Sequence, residues 1–228
     1  MRMQAPLDGH NRLQNRARCT KCAVRAASSH FVSGLAPTVD PRVSRALPDL
    51  SSVDGAGLRR EDIKMIPAAF EYHRPPEVAS AISLLNELGD DARAIAGGHS
   101  LLPMMKLRMA SVEHLIDLQD IAELRGISID GNRVSIGAMA TQNELIENEA
   151  LAAAAPSIRE AALQIADPQV RYLGTLGGNV ANGDPGNDMP GLMQCLDATF
   201  TLAGPDGTRD VAARGFYEAA YMTEREDD

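Results

Sequence analysis

Apolar positions fall into a regular spacing only from residue 76 onward. Val78, Ala81, Ile82, Leu85 and Leu88 recur as one face of a helix and Gly89 follows as a stop, so the spacing predicts an amphipathic helix over residues 76–88. Residues 92–96 form a short apolar run that reads as a buried strand leading into a glycine pair. Another strand is expected at 114–118, and a hairpin from 126–129 and 134–137 around Asp130-Gly131-Asn132. Thr141 with Glu144, and Ser157 with Glu160, have capping-box spacing; helices are expected after Thr141 and Ser157, separated by Pro156. A further helix is expected near Met189 with Asp188 as its N-cap. Residues 199–202 and 209–212 flank Gly204-Pro205-Asp206-Gly207 as a second hairpin. Residues 1–64 show neither period, are rich in Arg, Ser and Pro, and predict a disordered leader. The chain has no detectable internal repeat, and periodicity alone gives an α+β body over residues 65–228.

The chemistry concentrates in two glycine-rich segments. The first is Ala96-Gly97-Gly98-His99-Ser100-Leu101-Leu102; the second is Thr175-Leu176-Gly177-Gly178-Asn179-Val180-Ala181-Asn182-Gly183-Asp184-Pro185-Gly186-Asn187-Asp188. Paired glycines let the backbone turn with φ > 0 and bring successive N–H groups against an anion. Two such cradles suit a two-phosphate ligand, which is the dinucleotide class. Neither G-x-G-x-x-G nor G-x-x-x-x-G-K-[ST] occurs, so Rossmann and P-loop chemistry lack support. No Ser/His/Asp or Cys/His arrangement, H-E-x-x-H or metal-ligand spacing stands out, so no catalytic residue and no metal ligand is assigned.

Composition narrows the setting. With 228 residues, 44% of them hydrophobic, the chain can bury one or two cores. No apolar run approaches the roughly 18 residues of a spanning helix, and the N-terminus lacks the apolar stretch of a secretory signal. Cys19, Cys22 and Cys195 cannot build a disulfide framework, which points to the reduced cytoplasm. An all-cysteine iron–sulfur cluster needs about four thiolates, so an electron carrier held here would be organic. Cys19-Thr20-Lys21-Cys22 with His30 falls short of a zinc ligand set. Three readings of the leader stand beside each other: a disordered tail; a transit peptide, since Asp8 is its sole acid before residue 40; and upstream sequence read through as protein. The last draws on Arg60-Glu61-Asp62, which AGG-GAG-GAC encodes, a purine-rich stretch just before Met65. Residues 1–64 hold 11 Lys+Arg against 6 Asp+Glu and residues 65–228 hold 11 against 25, so the net charge of −9 divides into +5 and −14. An acidic body argues against nonspecific nucleic-acid binding.

A-G-G-H-S-L-L-P followed by T-L-G-G-N-x-A-N-G-D-P-G-N-D-M-P resembles the FAD-binding medium subunits of the molybdenum hydroxylases, the xanthine dehydrogenase family, and within them the aerobic carbon monoxide dehydrogenase branch. Met65-Ile66-Pro67, Phe70-Glu71-Tyr72-His73-Arg74-Pro75, Ile165-Ala166-Asp167-Pro168-Gln169-Val170-Arg171-Tyr172 and Leu192-Met193-Gln194-Cys195-Leu196 belong to the same resemblance. It implies a two-lobed flavin fold of the vanillyl-alcohol-oxidase or p-cresol methylhydroxylase (PCMH) type. The small lobe, about 65–118, would carry a few parallel strands; the larger, about 119–228, a mixed or antiparallel sheet, incomplete here with the family's C-terminal domain missing. It also implies FAD as cofactor, a large molybdenum-cofactor subunit and a small [2Fe-2S] subunit as partners, and electron relay as the role. The alternative is a truncated remnant that binds flavin weakly or serves as an interaction module.

The resemblance assigns cofactor contacts to Ala96, Gly97, Gly98, His99, Ser100 and Leu101, and to Thr175, Gly177, Gly178, Asn179, Asn182, Asp184 and Asp188. His99 either bonds the flavin or caps its own turn. Carboxylates repel phosphate, so Asp184 and Asp188 are expected on ribose or ribityl hydroxyls, against the plainer readings of a turn and a helix cap. Met104, Met105, Met139 and Met193 are expected as packing residues, Cys195 as inert core, Lys106 and Arg108 as solvated charges. The leader is expected to be removable without loss of stability.

Overall fold

The computed structural model describes residues 2–6 and 65–225. Arg2–Pro6 is a strand, β1, which corrects at this segment the expectation of a leader without regular structure. Met3 and Ala5 are buried on either side of Gln4, a period-two pattern of only two apolar positions. Residues 7–64, with Cys19, Cys22 and His30, lie outside the described residues.

From residue 71 the chain builds a small parallel sheet. β2 (Glu71–His73), helix α1 (Val78–Leu88), β3 (Ala92–Ile95), helix α2 (Leu101–Lys106) and β4 (His114–Asp117) follow one another, and the strands lie in the order β2-β4-β3. Glu77 is the N-cap of α1, and Gly89 ends it at φ 53, where a glycine sits without strain. Side chains alternate along β4, so each face takes its own helix. Ile116 packs with Ala81 of α1 and with Ala92, whereas Leu115 packs with Met105 of α2 and with Val112.

The remainder centres on a second sheet. The hairpin β5 (Ile127–Asp130) and β6 (Arg133–Gly137) leads into the helices α3 (Gln142–Glu147), α4 (Glu149–Ala154), α5 (Pro156–Gln164), α6 (Pro168–Leu173), α7 (Leu176–Asn182) and α8 (Asp188–Cys195). A second hairpin, β7 (Thr199–Gly204) and β8 (Gly207–Ala212), closes an antiparallel sheet of order β5-β6-β1-β7-β8. β1 is its central strand, with Met3 opposite Ile136 on one side and Phe200 on the other. These side chains join Leu145, Leu151, Ile158, Leu176, Val180 and Met189 in one core. Phe216 completes it, edge-on to Phe200 at 4.9 Å. A last small hairpin, β9 (Tyr217–Ala219) and β10 (Met222–Thr223), is fastened to the end of α7 by the Tyr221 N–H, which donates to the Gly183 carbonyl at 2.8 Å.

The local expectations fare unevenly. Thr141 forms its capping box: its Oγ1 accepts from the Glu144 N–H at 3.2 Å and Glu144 Oε2 accepts from the Thr141 N–H at 2.7 Å. Ser157 does not cap. α5 starts at Pro156 behind Ala155, because proline at the first helical position brings a helical φ and no N–H to satisfy. The N-cap of α8 is Asn187, one residue before the expected Asp188. α4 and α6 are six-residue helices capped by the side chains of Asn148 and Asp167, too short to show a period. The first half of the second glycine segment is a helix rather than a loop, since α7 begins directly after Thr175. Cys195 and Met104 are exposed, correcting their expected burial, while Met105, Met139 and Met193 are core residues.

Candidate functional site

The two glycine segments meet. A Cβ on Gly97 would run into the carbonyl oxygen of Leu173 and lie 2.9 Å from Gly174 Cα, so the turn after β3 is packed directly on the chain entering α7. A Cβ on Gly178 would stand 3.5 Å from Ala96 Cβ. Gly177 fits tightly as well, its imaginary Cβ 2.5 Å from that of Ala138. Backbone bonds hold the second segment in register: Leu176 N–H donates to Ala140 at 2.8 Å, and Gln142 N–H to Gly174 at 2.8 Å.

The N–H groups of the two segments have different fates. Those of Gly97, Gly98, His99 and Ser100 donate to no protein acceptor among the described residues, and Gly98 sits at φ 72, a run of free amides of the kind that can take an anion. Leu101 begins α2 behind them. In the second segment the amides are committed to the fold. Gly177 N–H donates to Ala138 at 2.8 Å, Gly178 N–H to Thr175 Oγ1 at 3.1 Å and Asn179 N–H to the Thr175 carbonyl at 3.1 Å. These three amides, expected at a ligand, each have a partner within the fold. Their glycines serve close approach, and the buried Thr175 hydroxyl retains its hydrogen for donation.

The other expected residues are placed as follows. His99 is exposed and its Nδ1–H donates to the Gly97 carbonyl at 2.9 Å, which caps its own turn and leaves Nε2 open. Ser100 is exposed at the N-cap position of α2 without a capping bond. Asp184 Oδ1 accepts from the Gly186 N–H at 2.8 Å in a tight turn, and the nearby carboxylate pushes the pKa of the Tyr221 phenol up. Asn182 ends α7, and Asp188 opens α8 exposed and without a capping bond. A seven-residue helix is about 10 Å long, so Asn182 stands at the far end of α7 from Thr175, whereas Asn187 before Asp188 turns back to donate from Nδ2 to the Asn179 carbonyl in mid-helix at 3.4 Å. Lys106 and Arg108 are exposed. Arg171 Nη1 donates to the Leu163 carbonyl at 2.9 Å, while Tyr172 and Leu173 beside it are exposed.

One residue of this region escapes sequence reasoning. Gln142 is 1% exposed, and neither oxygen nor nitrogen of its side-chain amide has a partner among the described residues. Oδ1 of Asn179 is likewise buried and unpartnered. Orphaned groups of this kind cost about 1–3 kcal/mol each, and both belong to α7 or to the chain bonded to it. A polar ligand would satisfy them. Gln142 sends no signal in the sequence, since a glutamine in the first turn of a helix is ordinary. Outside the glycine segments, the pairing of β2 with β4 brings Glu71, His73 and His114 together, a donor set that sequence spacing does not reveal.

Comparison with known proteins gives the same picture. The model of the FAD binding domain in molybdopterin dehydrogenase matches residues 68–228. The chain is 61% identical over 159 residues to the carbon monoxide dehydrogenase medium chain of Afipia carboxidovorans, covering 70% of this chain and 55% of that one. It is 55% identical to that of Hydrogenophaga pseudoflava with the same coverage. A crystal structure of the Cu,Mo-CO dehydrogenase matches with a TM-score of 0.69 at 60% identity, over 71% of this chain and 56% of that one. The chain thus spans about half the length of the curated relatives it matches. Among the described residues no helix is long and apolar enough to cross a membrane. The chain belongs to the family of FAD-binding domains of molybdopterin dehydrogenases.

Proposed function

We propose that this chain holds FAD across the junction of its two glycine segments and acts as the flavin-bearing part of a medium subunit in a heteromeric molybdenum hydroxylase of carbon monoxide dehydrogenase type. The observation that carries the reading is the junction itself: unpartnered N–H groups at Gly97, Gly98, His99 and Ser100, packed against Gly174. The residues fit the cofactor. Free backbone amides suit the pyrophosphate, and the Thr175 hydroxyl, the orphaned Gln142 amide and Asn179 Oδ1 suit hydroxyl and amide groups of a polar ligand. Bound FAD supplies the redox chemistry, and the protein binds and orients it.

Within this reading the role is electron relay between a partner's iron–sulfur centres and an external acceptor, and no residue here acts as acid or base on substrate. The partners are a large molybdenum-cofactor subunit and a small [2Fe-2S] subunit, in the cytoplasm. The fold corresponds to the PCMH type, with a small lobe of about 65–118 and a larger one of about 119–228 to which β1 is added. The exposed Tyr172 and Leu173 fit a partner-facing or flavin-facing edge.

The test is flavin stoichiometry. The purified chain should carry or take up FAD with a flavin spectrum. Gly98→Val, which puts a branched side chain at φ 72, should lose it while the far-ultraviolet circular dichroism of the body is retained. Full stoichiometry in Gly98→Val would refute binding at this turn.

A further inference from the structure

We propose a divalent transition-metal site of the zinc class on the open edge of the parallel sheet, formed by Glu71, His73 and His114. Parallel pairing sets Glu71 beside His114 and His73 beside Ile116, so the side chains of 71, 73 and 114 stand on one face of the sheet. Their ligand atoms converge. His73 Nε2 lies 3.2 Å from His114 Nδ1, Glu71 Oε2 lies 3.5 Å from the same Nδ1, and all three fall within 4.8 Å of one another. Zinc bonds of about 2.0–2.2 Å at a tetrahedral angle put neighbouring ligand atoms about 3.4 Å apart, which is the spacing of both measured edges.

A cation would use every donor of the arrangement at once. His114 Nδ1 offers one hydrogen or one lone pair and faces two polar atoms, so a hydrogen bond serves one contact and leaves the other repulsive or empty. A metal ion accepts all three lone pairs. Arg74, which follows β2, is turned to Asp120 at 2.6 Å. Access is open: the Glu71 side chain is 73% exposed and that of His114 20%, and surface depressions lined by His73 on one side and by Glu71 and His114 on the other reach the cluster. Water can therefore fill a fourth position. Two imidazoles and one carboxylate select Zn²⁺, Co²⁺ or Ni²⁺ over Mg²⁺ and Ca²⁺, which prefer oxygen ligands alone.

The experiment uses the full chain with Cys19→Ser and Cys22→Ser, which removes the thiolate pair of the leader from competition. After chelator treatment, Co²⁺ is titrated and then displaced with Zn²⁺. One equivalent of cobalt should bind with the visible bands of a low-coordinate site, and zinc should raise the melting temperature. His73→Ala, His114→Ala and Glu71→Gln should each weaken binding by no less than the roughly 10–100-fold that loss of a ligand's supporting partner costs. Glu71→Gln is decisive because an exposed, isosteric change leaves the fold intact. Absence of saturable one-equivalent binding, or undiminished affinity in Glu71→Gln and His114→Ala, overturns the proposal.

Discussion

Glycine has separate purposes at neighbouring positions of this chain, and substitution should tell them apart. At Gly97 the obstacle to a side chain is backbone of another segment, which cannot step aside as a flexible side chain can. Gly97→Ala should therefore force the two segments apart, costing about 1–3 kcal/mol of stability together with flavin retention. Gly191 in α8 has nothing within 4 Å of its imaginary Cβ; Gly191→Ala should stabilise by about 0.5–1 kcal/mol in thermal or urea unfolding. A further residue-scale test concerns Tyr217, whose hydroxyl is buried without a partner among the described residues. Burial pushes its pKa above the usual 10.0. Below that value the phenol is neutral folded or unfolded. Above it the unfolded chain ionises first, so stability falls as pH rises until the folded phenol also titrates. Tyr217→Phe should flatten that alkaline loss and raise stability at neutral pH by up to about 1 kcal/mol, read from melts across pH 7–11. The glycine pairs were visible in the sequence as a place of close approach. Which atoms approach was not, because Leu173 and Ala138 become neighbours only through the tertiary fold.

At the scale of elements, legibility follows where the information sits. The capping box at Thr141 and both hairpins are local chemistry, written within a few residues, and all three form. Thr141→Ala should cost about 1 kcal/mol, measurable as a lowered urea midpoint. α7 was hidden because Gly177 and Gly178 weaken helix propensity, yet Thr175 caps the helix and Leu176 and Val180 anchor it in the core; burial outweighs propensity here. β1 was hidden for another reason. Its partners β6 and β7 lie far along the chain, and five residues with two apolar positions carry no period of their own. Its consequences are large, since it pairs on both edges and Met3 is 2% exposed. Deleting residues 2–6 should leave β6 and β7 with unpaired edges and open the core, lowering the melting temperature by well over the roughly 2–4 °C that 1 kcal/mol represents in a chain of this size. Met3→Ala alone should cost about 2–5 kcal/mol. An unchanged melt after the deletion would show that the strand contributes nothing to the body, as the sequence by itself suggests.

Over the whole molecule, the glycine junction and the sheet cores are one thermodynamic system, because the junction exists only when the body is folded. Gly97 of the parallel-sheet region touches Leu173 and Gly174 of the helical layer, so a ligand that bridges the two segments must stabilise both. Ligand that binds the folded state alone adds about 2.7 kcal/mol at one hundred times its dissociation constant. For a chain of this length that corresponds to roughly 5–10 °C in melting temperature. The parts of the cofactor should contribute unequally. If the free amides of Gly97, Gly98, His99 and Ser100 take the pyrophosphate, ADP should raise the melting temperature by a measurable fraction of the FAD shift, and riboflavin, which has no phosphate, by little. The acidic body, at −14 over residues 65–228, repels free nucleotides at long range, so added salt should screen that repulsion and speed ADP association relative to uncharged riboflavin. A shift from riboflavin equal to that from FAD, with none from ADP, would place the binding energy on the ring system and remove the amide run from the site.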